Sequence, residues 1–117
     1  MSRRRSARMG KFLKEEVSKI IQRQIKDPRI GFVTVTGVKI TDDLRYATVF
    51  ITVYGSPSDR KRTLAGLENA KGFIRGQIGS RIRSRYTPEI IFKLDESLER
   101  VAHISEVLEE IKKEQNR

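Results

Sequence analysis

Few side chains in this chain are equipped for acid–base or covalent chemistry, and their spacing argues against an enzyme. Asp42 and Asp43 are adjacent carboxylates of the kind that ligate a divalent metal or serve as a general base. They stand beside Leu44-Arg45 between two alternating apolar runs, where an Asp pair is ordinary turn chemistry. His103 is the single histidine, with no second His at helical spacing and no nucleophile nearby in sequence. Cysteine is absent, which excludes disulfides, thiolate nucleophiles and Cys-containing zinc sites. The expectation is a protein with no catalytic residues, no metal, no cofactor and no small-molecule substrate.

The chemistry that remains is ionic. Among 117 residues, 25 Lys and Arg face 15 Asp and Glu, a formal net charge of +10 that favours polyanions or anionic membranes as partners. The excess is segregated: residues 1–29 hold ten basic and three acidic side chains, residues 59–85 eight and two, and residues 97–117 four and five. Arg75, Arg81, Arg83 and Arg85, with Lys71 ahead of them, surround a predicted helix end, where guanidinium forks can meet phosphates bidentately. The same charge also fits a solvated face. Arg3, Arg4, Arg5 and Arg8, followed by Lys11, read either as an arm ordering on a nucleic-acid backbone or as a solubilising tail. Gly72 allows close approach of a phosphate or sugar, and equally allows close helix–sheet packing. Gly76-Gln77-Ile78-Gly79 matches a bare GxxG, a weak signal. Tyr46, Tyr54 and Tyr86 can stack on bases; Tyr46 and Tyr54 already serve as strand residues, leaving Tyr86 as the one to follow.

The elements that must position these residues follow from periodicity. Met9, Leu13, Val17, Ile20, Ile21 and Ile25 recur at helical spacing and predict an amphipathic helix from about Ala7 to Lys26, ended by Asp27-Pro28. Val33 and Val35 share one strand face, whereas Val38 and Ile40 are in the opposite phase, so a bulge or bend is expected at Gly37. Residues 41–45 form a turn, and Ala47, Val49, Ile51 and Val53 line one side of a second strand in an antiparallel hairpin. Ser58 is the expected cap of a helix starting near Asp59, with Leu64, Leu67, Ile74, Ile78 and Ile82 as its stripe. Its interior glycines, at about 1 kcal/mol each, predict two helices with a break or sharp kink around Ala70-Lys71-Gly72. Ile90, Phe92 and Leu94 mark a third strand, and Asp95 or Ser97 caps a last helix striped by Leu98, Val101, Leu108 and Ile111. The fold class is therefore α+β, helices over a small sheet, with the strand order left open. No apolar run is long enough for a signal peptide or a bilayer span, so a cytoplasmic protein is expected, without a membrane partner.

Two runs carry a family resemblance: KDPRIGFVTVTGVKITDDLRYATVFITVYG and LENAKGFIRGQIGSRIRSRYTPEIIFKLDESLER. In order and spacing over roughly residues 8–108 the chain resembles bacterial ribosome-binding factor A. The resemblance implies a single type II KH-like domain in which an Ala-x-Gly kink, here Ala70-Lys71-Gly72, replaces the GxxG loop. It divides the chain into a flexible basic arm (1–7), an RNA-binding domain (8–96) and a C-terminal helix and tail (97–117). It implies a non-catalytic factor that binds the free or immature 30S subunit and 16S rRNA near the decoding region; no unused coiled-coil seam argues for a dimer, so a monomer is the expectation. Such factors assist late maturation and 5′-end processing, especially in the cold. Asp27-Pro28-Arg29, Asp43-Leu44, Ala70-x-Gly72, Arg75, Arg85 and Thr87-Pro88 carry over from the family pattern; of these Pro28, Leu44, Ala70 and Pro88 read as architectural. A general, nucleoid-type DNA-binding protein is the alternative, since charge alone does not separate the two nucleic acids.

Overall fold

A computed structural model describes residues 2–82 and 86–96. Five elements follow in order: α1 (Ser2–Arg23), β1 (Val33–Ile40), β2 (Tyr46–Val53), α2 (Pro57–Gly79) and β3 (Glu89–Leu94). The strands form one sheet in the order β1-β2-β3. β1 and β2 pair antiparallel, and β2 and β3 pair parallel. A parallel pair needs a long crossover, which α2 supplies. This is the expected α+β class, a three-stranded mixed sheet packed against helices. The predicted C-terminal helix and His103 lie outside the described residues.

The hairpin register shifts between Val35 and Gly37, leaving Thr36 as the extra residue. This bulge lets Val35 and Ile40, which have opposite parity in sequence, both face the core. The Thr36 hydroxyl bonds both the Phe50 carbonyl (3.3 Å) and the Asp95 carboxylate (2.7 Å), tying the bulge to the far end of β3. Leu13, Val17, Ile20 and Ile21 of α1 join Val49 and Ile51 of β2, Leu67, Ile74 and Ile78 of α2, and Ile90 and Phe92 of β3 in one buried core. Each such side chain contributes about 1.5–3 kcal/mol by leaving water. Gly10 brings α1 onto the sheet: a Cβ there would lie 3.0 Å from the Val38 carbonyl oxygen.

Element boundaries differ from those expected. Helical backbone begins at Ser2, within the segment expected as an arm, and α1 closes at Arg23 rather than Lys26. Past Arg23 the chain turns, and Asp27 accepts the Arg29 backbone N–H (2.9 Å) and receives its guanidinium at 3.1 and 2.7 Å. The cap of α2 is Ser56, not Ser58: Ser56 Oγ accepts from Asp59 N–H, Asp59 accepts from Ser56 N–H, and Pro57 occupies the first turn.

Of the break or sharp kink expected at Ala70-Lys71-Gly72, the break does not occur: α2 continues through it as one helix of 23 residues. Thr63, Leu67, Ile74 and Ile78 are buried along α2, with Ala70 packed partly into the same stripe, so an unbroken apolar face offsets the glycine cost. Of the glycines in α2, Gly66 has a packing reason, since a Cβ would stand 2.7 Å from Ile30 Cγ1. So does Gly79, where it would meet Thr87 Oγ1 at 2.9 Å. Around Gly72 and Gly76 nothing among the described residues lies within 4 Å of such an atom, the local helix backbone aside.

Candidate nucleic-acid interface

The cationic half of α1 and the end of α2 are joined by an ion pair. Arg81, two residues past α2, donates to Glu16 of α1 at 2.7 Å, and Lys19 approaches the other Glu16 oxygen at 3.8 Å. The acidic group between the two basic segments is thus neutralised from both sides. At 1.5 Å per helical residue, Lys11 lies about 8 Å and Arg8 about 12 Å along α1 from that pair. Arg5, Arg8 and Lys11 are exposed and enter no ion pair among the described residues. Arg3 and Arg4 fall in the first turns of α1, with their side chains outside the described set, as are Arg83 and Arg85.

On α2 the predicted cations differ in what engages them. Lys71 pairs with Glu68 at 2.8 Å within the same helix face. Arg75 instead donates to the Thr87 carbonyl at 3.0 Å, which orients the guanidinium, and it enters no ion pair among the described residues. Gly72, Gly76 and Gly79 line a shallow cavity with Arg75, Tyr86 and Thr87. Arg75, Tyr86 and Thr87 also border a second cavity of about 340 Å³, shared with Arg45, Tyr46 and Glu89. The structure therefore brings Gly72 and Arg75 to one surface and turns Arg81 toward α1.

The turn between β1 and β2 presents Arg45 and Tyr46. Asp43 accepts from the Thr41 hydroxyl (2.6 Å) and from Arg45 N–H (3.1 Å), and Tyr46 N–H donates to Thr41 Oγ1 (3.1 Å). These bonds hold the Asp43 carboxyl below the usual carboxylate range, first through Thr41 and then through Arg45 N–H. Leu44 adopts a left-handed φ of 61°, a conformation that costs a residue with a side chain roughly 1–3 kcal/mol. Asp43 is thus a turn residue, as its neighbours in sequence indicate.

Sequence reasoning missed Arg45 as a member of this surface and missed a second basic and aromatic surface altogether. Phe32 is 82 % exposed and Tyr54 62 %. With Arg29 and Arg62 they border a cavity of about 250 Å³ near the start of α2. Thr63 pins the loop that carries Phe32, accepting Gly31 N–H (3.2 Å) and donating to the Arg29 carbonyl (3.4 Å). The available signal was parity: Phe32 shares the outward phase of Thr34, and Tyr54 that of Thr48.

Among the described residues no group of three or more His, Cys, Asp or Glu is placed to hold a metal, and no helix is long and apolar enough to cross a membrane. A family model described as ribosome-binding factor A matches residues 5–108. Ribosome-binding factor A of Halothermothrix orenii is 52 % identical over 115 residues, spanning 98 % of this chain and 94 % of that protein. A Thermotoga maritima protein bearing the same designation, solved by NMR, superposes with a TM-score of 0.69 at 36 % identity, covering 76 % of this chain and 85 % of that one. The crystal structure of ribosome-binding factor A from Thermus thermophilus shares the fold, with a TM-score of 0.67 at 24 % identity over 76 % of this chain and 94 % of that one.

Proposed function

The chain belongs to the ribosome-binding factor A family, and from that premise we propose that it binds the immature small ribosomal subunit through 16S rRNA and assists its late maturation, including 5′-end processing. The protein is a non-catalytic ribosome assembly factor with a KH-like fold. Two observations support the RNA reading: the Arg81–Glu16 pair joins the end of α2 to the helix that carries Arg5, Arg8 and Lys11, and Gly72, Gly76 and Arg75 share one groove. Phosphate contacts from Arg5, Arg8, Lys11 and Arg75 supply affinity, with Arg3, Arg4, Arg83 and Arg85 extending the footprint. Lys71 and Arg81 reach RNA only by giving up Glu68 and Glu16, so they contribute less. Residues 8–96 act as the RNA-binding domain, with 1–7 as the basic entry segment and 97–117 as a separate extension.

In this reading the protein works as a monomer in the cytoplasm and has its largest effect in the cold. It binds one arrangement of the ribosomal RNA better than another and shifts that equilibrium by no more than its differential affinity. Release follows when the mature subunit no longer offers the preferred arrangement. The test is co-sedimentation with free small subunits, assembled ribosomes and duplex DNA across a salt series. Retention on free subunits that outlasts binding to the other two as salt rises supports the proposal; equal, wholly salt-suppressed binding to all three refutes it.

A further inference from the structure

We propose that the cavity at the start of β2 and β3 receives one unpaired nucleotide of a single-stranded RNA segment, its base stacked on Tyr46 and Tyr86. The inference rests on the RNA-binding reading above and specifies how part of that surface works. Six residues line the cavity: Arg45, Tyr46, Arg75, Tyr86, Thr87 and Glu89. They offer two aromatic rings, two guanidinium groups and one carboxylate, a set that matches an anion carrying a flat ring. The volume of about 340 Å³ falls at the small end of ligand cavities, room for one nucleotide and not a run of them.

The parts are held in place by independent contacts. Tyr46 and Glu89 are register partners in the parallel pair, and Glu89 N–H donates to the Arg45 carbonyl at 2.7 Å. The strained Leu44 and the Thr41–Asp43 bonds fix the turn from which Arg45 and Tyr46 project. Thr87 orients Arg75. Yet both rings remain open to solvent, Tyr46 at 47 % and Tyr86 at 63 % exposure, although aromatic side chains lower their free energy by burial. A base stacking on them removes that exposed area.

A base within a duplex is not available to such a cavity, so the substrate is a splayed or single-stranded residue. The adjoining groove over Gly72 and Gly76 shares Arg75, Tyr86 and Thr87 and offers a path for the neighbouring sugar-phosphate. Glu89 accepts from an exocyclic amine, which adenine, guanine and cytosine possess and uracil lacks. The site therefore prefers an amine-bearing base.

The experiment uses the full chain and a hexanucleotide of RNA carrying one 2-aminopurine, whose fluorescence falls on stacking. The expected result is quenching by the wild type, retained by Tyr86→Phe and lost by Tyr86→Leu and Tyr46→Leu. Affinity for the strand drops by about 5-fold or more in the Leu variants, which keep the wild-type melting temperature. An all-uracil strand binds several-fold more weakly than an all-adenine one, and Glu89→Gln narrows that gap. Absence of quenching by the wild type, or Leu variants that quench fully, overturns the proposal. So does free adenosine monophosphate competing as strongly as the strand, which would point to a mononucleotide site. Small-subunit co-sedimentation run in parallel separates the two readings. Retained subunit binding without quenching removes the stacking site alone, whereas quenching by a wild type that ignores small subunits removes the assembly reading alone.

Discussion

Replacing Gly72 or Gly76 by Ala separates two demands placed on α2. Among the described residues nothing outside the local helix backbone lies within 4 Å of a Cβ at either position, so the added methyl meets no tertiary contact there and the helix gains the full propensity difference, about 0.8–1 kcal/mol. For a domain of this size each substitution raises the melting temperature by about 4–8 °C. Gly66→Ala carries the same propensity gain but places its methyl 2.7 Å from Ile30 Cγ1, a mid-chain atom that the core restrains. Overpacking of that kind costs about 1–3 kcal/mol, so the net change is a loss. Thermal unfolding followed by circular dichroism reads all three. The same proteins are then tested for small-subunit co-sedimentation, where Gly72→Ala and Gly76→Ala weaken binding several-fold despite their greater stability, because the methyls fill the groove floor. A lower melting temperature for Gly72→Ala would refute a continuous helix at that point. A stabilised variant with unchanged binding would remove the groove from the RNA path.

Other perturbations follow from single contacts. A double-mutant cycle on Glu16→Gln and Arg81→Gln is expected to show a coupling of about 0.5–1 kcal/mol in urea unfolding, the upper range for a pair this exposed; zero coupling would return Arg81 to the RNA-facing set. Gly55→Ala destabilises by roughly 1–3 kcal/mol from backbone strain alone, because φ is 132° and a Cβ would strike the Asp59 carboxylate that closes the capping box. Asp27, Asp43 and Asp59 all have lowered pKa values, held down chiefly by Arg29, Thr41 and Ser56 respectively. Their contribution is present above the unfolded-state value near pH 4 and disappears as pH falls through the lower folded values. Urea midpoints should therefore decline below about pH 4, and Asp43→Asn should make that decline shallower.

Much of the frame was legible because side-chain period reports which face is buried. The parity change from Val33 and Val35 to Val38 and Ile40 located the bulge beside Gly37, and the Leu13–Ile21 stripe located the core face of α1. Pairing partners leave no trace in periodicity. The parallel neighbours Tyr46 and Glu89 therefore stayed invisible, and with them the cavity that unites Arg45 and Tyr46 with Arg75. The glycines of α2 misled because their packing partners cannot be read from sequence. Gly66 and Gly79 are explained by Ile30 and Thr87, contacts that exist only in three dimensions. Arg81 looked like its neighbours in sequence until the fold set it against Glu16, 65 positions away.

The proposed footprint requires that the exposed cations of α1 and Arg75 of α2 engage phosphates of the small subunit together. The direct measurement is the salt dependence of small-subunit affinity for the wild type, for Arg8→Gln with Lys11→Gln, for Arg75→Gln, and for all three combined. Each lost phosphate contact should reduce the slope of log affinity against log salt by about 0.7–0.9, cumulatively in the combined variant and with unfolding temperatures unchanged. Slopes identical to the wild type in folded variants would contradict it.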